Sequence, residues 1–177
     1  MWEKGNKNCT FFTDGLIKQP TFKELPDHEK QKIVRPEDMP WEICAQGKLK
    51  HIVNENMNVR IKGHDAYLQE IPPDGRSGKH RHTWEEVIYV LEGKGYDLHW
   101  DAHADIQEQY NWSFDKQPKK FTWQAGDLMY IPFNTIHQHF NASPSDKARI
   151  IVYSARVFRW LGFTEIEQFE DAPKDSL

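Results

Sequence analysis

Apolar residues in this chain fall in runs of strand length with polar residues alternating among them, and only near the C-terminus does the spacing lengthen toward a helical period. The runs are Val59 to Ile61, Ala66 to Ile71, Glu86 to Leu91, Tyr96 to Trp100, Phe121 to Trp123, Asp127 to Ile131 and Ala148 to Tyr153. They are rich in β-branched and aromatic residues, which suit a pleated, half-buried surface. Turn chemistry separates them, in Pro72-Pro73-Asp74-Gly75-Arg76-Ser77-Gly78, in Glu92-Gly93-Lys94-Gly95 and in Pro132-Phe133-Asn134-Thr135. Short strands punctuated in this way predict an all-β body, a sandwich or barrel of the small jelly-roll kind.

The same pattern divides the 177 residues into three stretches. Residues 1–58 carry four prolines among charged residues and read as an extended N-terminal arm with a short helix around Asp27 to Ile33. Trp2, Phe11, Phe12, Phe22 and Trp41 give the arm something to bury, against a partner subunit or against its own barrel. Residues 59–157 are the expected barrel. Within it the polar segment from Asp101 to Lys120 reads as a surface insertion, either a lid or a plain hairpin connection. Residues 158–177, with Phe158, Leu161, Ile166 and Phe169, predict a short amphipathic C-terminal helix interrupted near Gly162, followed by a tail.

Chemistry concentrates in His80-Arg81-His82-Thr83-Trp84-Glu85-Glu86 and in His137-Gln138-His139. Side chains on a strand alternate faces with a period of two, so His80, His82 and Glu86 can point the same way while Glu85 points elsewhere. His137 follows a strand-like run and a turn, so strand pairing can bring it beside the first group. His139 shares its parity and is a candidate proton carrier or substrate contact, with a merely hydrogen-bonded histidine as the alternative. His99 is similarly ambiguous, and His28, His51, His64 and His103 read as surface residues. Tyr67, Trp84, Trp100, Trp123 and Tyr153 are candidates for pocket walls.

Composition narrows the partners. A net charge of −4 offers no basic field for a phosphate backbone, so nucleic acid is not expected. No apolar run approaches the roughly 20 residues of a membrane span, and the polar opening Met1-Trp2-Glu3-Lys4 has no signal-peptide core, which predicts a cytoplasmic protein that does not engage membranes. Cys9 and Cys44, the two cysteines, lack metal-type spacing and read as free thiols.

His80-x-His82-x3-Glu86-x6-Gly93 resembles the first motif of the cupin superfamily, and Gly126-x5-Pro132-x-Asn134-x2-His137-x3-Asn141 resembles the second. Two positions depart from the pattern: Asp74 and Asn134 stand where the motifs have glycine, and asparagine is among the residues that best tolerate positive φ. The resemblance covers roughly residues 59–157. It implies a six- to eight-stranded double-stranded β-helix, commonly a homodimer, holding one divalent transition metal through His80, His82, Glu86 and His137. The His-Arg-His-Thr string is also similar to single-domain relatives of the gentisate dioxygenases, although those hold iron with histidines alone and Glu86 is a carboxylate.

Three functions are consistent with such a site. The first expectation is a mononuclear non-haem iron dioxygenase acting on a small oxygenated or aromatic compound, with His139 moving a proton. The second is a non-redox isomerase, lyase or decarboxylase of a hydroxy- or keto-acid, using manganese, nickel or zinc as a Lewis acid. The third is a barrel that binds a small molecule without transforming it.

Overall fold

The computed structural model describes residues 2–17, 25–106 and 110–174. Strands are numbered in chain order. A six-stranded sheet runs β1 (Trp41–Cys44), β2 (Gly47–Val53), β3 (His64–Ile71), β12 (Ala148–Ala155), β5 (Glu86–Glu92) and β10 (Leu128–Ile131). Facing it is a five-stranded sheet of β13 (Ile166–Glu170), β4 (Lys79–His82), β11 (Ile136–Asn141), β6 (Lys94–Trp100) and β9 (Lys119–Gln124). Pairing within both sheets is antiparallel throughout. This is the all-β jelly roll that the turn-punctuated runs predict. Its core lies between the sheets, where Leu49, Tyr67, Ile71, Ile88, Val90, Trp123, Ile131, Ile150 and Val152 form one buried cluster.

Glycine is replaced at two turns without loss of the turn. Asp74 has φ 51° and Asn134 has φ 63°, the left-handed conformation for which the motif uses glycine. The Asn134 amide donates to the carbonyl of His82, tying the second-motif turn to β4.

Several expectations are corrected. The barrel begins at Trp41, inside the stretch read as arm, because β1 and β2 complete the six-stranded sheet. Their alternation is disguised: Glu42, Lys50 and His51 occupy buried positions, each satisfied by specific partners. The segment around Asp27 to Ile33 is a turn and not a helix, and helix α1 lies instead at Phe11–Ile17. Val59 makes an isolated bridge to Gln31 in place of the expected strand, since the left-handed Asn58 turns the chain immediately before it. After the single turn α2 (Val157–Trp160), Gly162 at φ 91° ends the helical path, and the chain returns as β13 beside β4. The 101–120 segment is the hairpin alternative, β7 (Ala102–Ile106) with β8 (Tyr110–Phe114).

The arm lies on its own barrel. The buried Lys50 ammonium donates to the carbonyls of Trp2 and Lys4 and sits 4.8 Å from the Trp41 ring, while Glu3 pairs with Arg149. Phe22 lies outside the described residues. Trp2, Phe11, Phe12 and Trp41 are half-buried.

Candidate metal centre and its cavity

Strand register builds the centre. His80 on β4 is paired directly with His137 on β11, which is in turn paired with His99 on β6, so three imidazoles form one row across the five-stranded sheet. His82, two residues along β4, points the same way. Ligand nitrogens of His80, His82 and His137 all lie within 4.8 Å of one another. Glu86 comes from the opposite sheet, with Oε1 3.2 Å from His82 Nε2 and Oε2 3.9 Å from His137 Nε2. Its cross-strand partner Ser154 donates to Oε1 at 2.9 Å.

The outer nitrogens fix the tautomers. Nδ1 of His82 lies 2.9 Å from the Trp84 carbonyl and Nδ1 of His137 lies 2.9 Å from the Thr135 carbonyl. A carbonyl only accepts, so each Nδ1 carries the proton and each Nε2 presents a lone pair inward. Nε2 of His82, Nε2 of His137 and Oε2 of Glu86 are buried without any hydrogen-bond partner. Such orphaned acceptors are expensive unless a cation joins them. Burial, with the neighbouring His137 and His82, holds the His80 pKa well below the ordinary imidazole value; burial and His82 take His137 down to about 3. Burial opposes ionisation of Glu86, but His82, His137 and the Ser154 hydroxyl outweigh it and bring its pKa to about 2. Neutral His80 and His137 beside an ionised Glu86 are in the protonation states that a divalent ion requires.

Above the cluster opens a cavity of about 520 Å³, within the range of small-molecule sites. Phe11, Phe12, Tyr67, Trp84, Trp160 and Ile166 supply apolar wall, and His80, His82 and Glu86 form its floor. Trp84 is stacked on His82, centroids 4.5 Å apart and planes 3° from parallel. Arg156 and Arg159 stand at the rim, where Arg156 is bound to Asp65 and to the Lys62 and His64 carbonyls and Arg159 lies 3.0 Å from Glu55.

Of the expected pocket walls, Tyr67 and Trp84 line the cavity. Trp100 instead takes the Lys79 ammonium over its ring, Trp123 is buried elsewhere in the core, and Tyr153 faces outward. His51, expected at the surface, is buried because it shares a hydrogen bond with Glu42. His139 points inward as its parity predicts but does not line the cavity. Its Nδ1 lies 2.8 Å from Asp97, whose other oxygen accepts from Trp123 Nε1 at 2.7 Å. Burial alone would favour the neutral forms; the pairing instead raises the His139 pKa and lowers that of Asp97. Asp97 and Ser154 were not singled out from sequence, although Asp97 shares the strand parity of His99 and could have been found by it.

The family model described as auxin binding protein matches residues 28–160, about three quarters of the chain. Auxin-binding protein T85 of Nicotiana tabacum is 27% identical over 121 residues, covering 67% of this chain and 60% of that protein. Auxin-binding protein 1 of Arabidopsis thaliana is 27% identical over 118 residues, 66% of this chain and 56% of that one. The chain thus spans less than two thirds of the length of these curated relatives. Among solved structures, the polyketide cyclase RemF from Streptomyces resistomycificus superposes with a TM-score of 0.50 at 19% identity, covering 71% of this chain and 79% of that one, a likeness of fold.

Proposed function

The chain belongs to the auxin-binding protein family, within the cupin superfamily, and from that premise we propose that it binds a small aromatic carboxylic acid at a divalent metal ion held by His80, His82, Glu86 and His137. The observation that carries this reading is the set of three unpartnered acceptors, on His82, His137 and Glu86, gathered with His80 beneath an aromatic cavity. A bound ion would supply a Lewis-acid point for the acid's oxygen atoms. The protein supplies the rest: Trp84 and Tyr67 offer flat apolar surface for a ring, and Ser154 orients the Glu86 carboxylate. The curated relatives carry auxin-binding names, which agrees with an acid of this kind. Calorimetric titration of the zinc-loaded protein with indole-3-acetate tests the reading. Saturable binding that disappears when the metal is stripped supports it; equal binding to the metal-free protein overturns it.

A catalytic reading is favoured by one observation, the buried His139–Asp97 pair behind His137, which simple ligand storage does not require. In that reading the ion is iron, the reaction a dioxygenation of a small aromatic or oxygenated compound, and His139 a proton store. Oxygen uptake by the iron-loaded protein with catechols, hydroxybenzoates and diketones decides it, and no uptake with any of them removes it. The assembly we propose is a homodimer seated on the apolar outer face of β5, β10 and β12.

A further inference from the structure

One wall of the cavity does not come from the barrel. Phe11, Phe12 and Gly15 of α1 line it, and one buried carboxylate binds the helix backbone. Glu42, 2% exposed, accepts from the amides of Phe12 and Thr13 at 2.8 Å each, from the Thr13 hydroxyl at 2.7 Å and from His51 Nε2 at 2.8 Å. Four donors fill the lone-pair sites of a carboxylate. Cys9, whose thiol approaches Glu42 and His51, therefore does not complete a second metal centre: unlike the floor of the cavity, this cluster leaves neither carboxylate oxygen unpartnered.

A buried carboxylate is costly, and this one is spent on fixing one turn of helix at the rim of a ligand cavity. His51 also lines the cavity. Its ring lies between Phe11, edge-on at 5.3 Å, and Tyr67 at 6.4 Å. Phe12 packs on the core cluster that contains Leu49 and Tyr67. The clasp and the aromatic wall are thus one connected structure, whereas the remaining walls are mostly hydrogen-bonded strands and short segments joined to them.

We infer that α1 sets which ligands fit: Phe11 and Phe12 close the apolar end of the cavity on an aromatic acid larger than one ring, and Glu42 is the positioning residue that holds them there. This rests on the acid-binding reading above. Size selection then resides in a short element attached through side chains, which can differ without disturbing the barrel or the metal floor.

The experiment uses the full chain loaded with zinc and titrated calorimetrically with benzoate and with 2-naphthoate, alongside hydrogen exchange of the amides of residues 11–17. Wild type is expected to prefer 2-naphthoate. An aromatic contact of ordinary strength corresponds to a loss of about three- to tenfold in that preference for Phe11→Ala and for Phe12→Ala, with zinc content unchanged. Glu42→Gln is expected to lose the preference similarly and to speed exchange at Phe12 and Thr13, and 2-naphthoate should slow that exchange in wild type. If Glu42→Gln fails to fold, Phe11→Ala at a half-buried position carries the test. A ratio of the two affinities unchanged in every folded variant overturns the inference and leaves acid binding standing. A zinc-loaded wild type that binds neither acid overturns both.

Discussion

His139 and Asp97 form a hydrogen-bonded pair at 2.8 Å inside the barrel, directly opposite one another on β11 and β6, and each is 1% exposed. Trp123 secures the far oxygen of Asp97, so the carboxylate is tied at both ends. Breaking a buried charged pair from one side is among the more damaging single changes. Asp97→Asn is expected to cost about 3 kcal/mol in denaturant unfolding. It should cost distinctly less in a His139→Gln background, because the partner is already gone. Zinc content should stay stoichiometric in both. Loss of metal in Asp97→Asn at unchanged stability would mean that the pair serves the ion and not the fold.

Ser154 reaches the candidate centre through its hydrogen bond to Glu86, and that contact makes it the informative substitution there. Partners that orient a ligand typically change metal affinity by 10- to 100-fold when removed. Ser154→Ala should lower zinc affinity by about tenfold in competition with a chromophoric chelator. His82→Ala should abolish stoichiometric metal, and Glu86→Gln should weaken it more than Glu85→Gln, since Glu86 faces His82 and His137 while Glu85, just before β5, pairs with the Tyr130 hydroxyl. Equal behaviour of the two glutamate variants would show that Glu86 is not a ligand.

Much of this was legible in the chain. Strand parity placed His80 and His82 toward one point, and the second-motif turn delivered His137 to it, because period-two alternation and turn chemistry are local properties; Glu86 reaches the same point by a different route, from β5 of the facing sheet, since the strand breaks after His82. Asn134 could be read as a glycine substitute for the same reason. Of the cavity walls, Tyr67 and Trp84 were legible, but the part built by α1 and β2 was not. β1 and β2 carry Glu42, Lys50 and His51 at buried positions, and their burial is made tolerable by Phe12, Thr13 and the carbonyls of Trp2 and Lys4, more than 25 residues away in sequence. Alternation fails as a signal when the inward side chains are polar and their partners are distant. The C-terminal stretch failed differently: its apolar spacing suited one turn of helix, but pairing of Ile166 with His82 and Gln168 with His80 overrode it.

The acid limb of stability should be set in part by Glu70. Its carboxylate accepts from Lys48 at 2.9 Å, Lys147 at 3.1 Å and Arg149 at 2.8 Å. Burial opposes ionisation, yet these cations hold its pKa at about 2. An unfolded glutamate titrates near 4.3, so the stabilisation is complete above about pH 4.3 and is lost as pH falls toward 2. Denaturation midpoints of wild type should drop between about pH 4.3 and about pH 2, and Glu70→Gln should flatten that drop. Parallel profiles for the two proteins would place the acid sensitivity elsewhere.

The outer face of the six-stranded sheet is covered unevenly. The arm lies over Lys50, and the charged row of Lys48, Glu70, Arg149 and Glu92 borders it. Beyond that row Leu128 and Tyr130 on β10 stand beside Tyr89 and Val87 on β5, with Tyr153 next on β12. These five side chains are 36% to 66% exposed and carry no charge. Together they expose roughly 500 Å², a large part of the ~800 Å² that each partner contributes to a standard interface. An uncharged, largely apolar surface is complementary to itself, and a twofold axis through it buries its members on both copies, which makes a second copy the fitting occupant. β10 is also the free edge of its sheet, where an uncovered strand invites unwanted pairing. Sedimentation at micromolar concentration should give twice the 21.0 kDa chain mass, and Leu128→Glu, the most exposed of the five, should give the monomer with its metal content intact. A wild type that sediments as a monomer would show that the face is bare in solution, and a dimer unaffected by Leu128→Glu would place the interface on another surface.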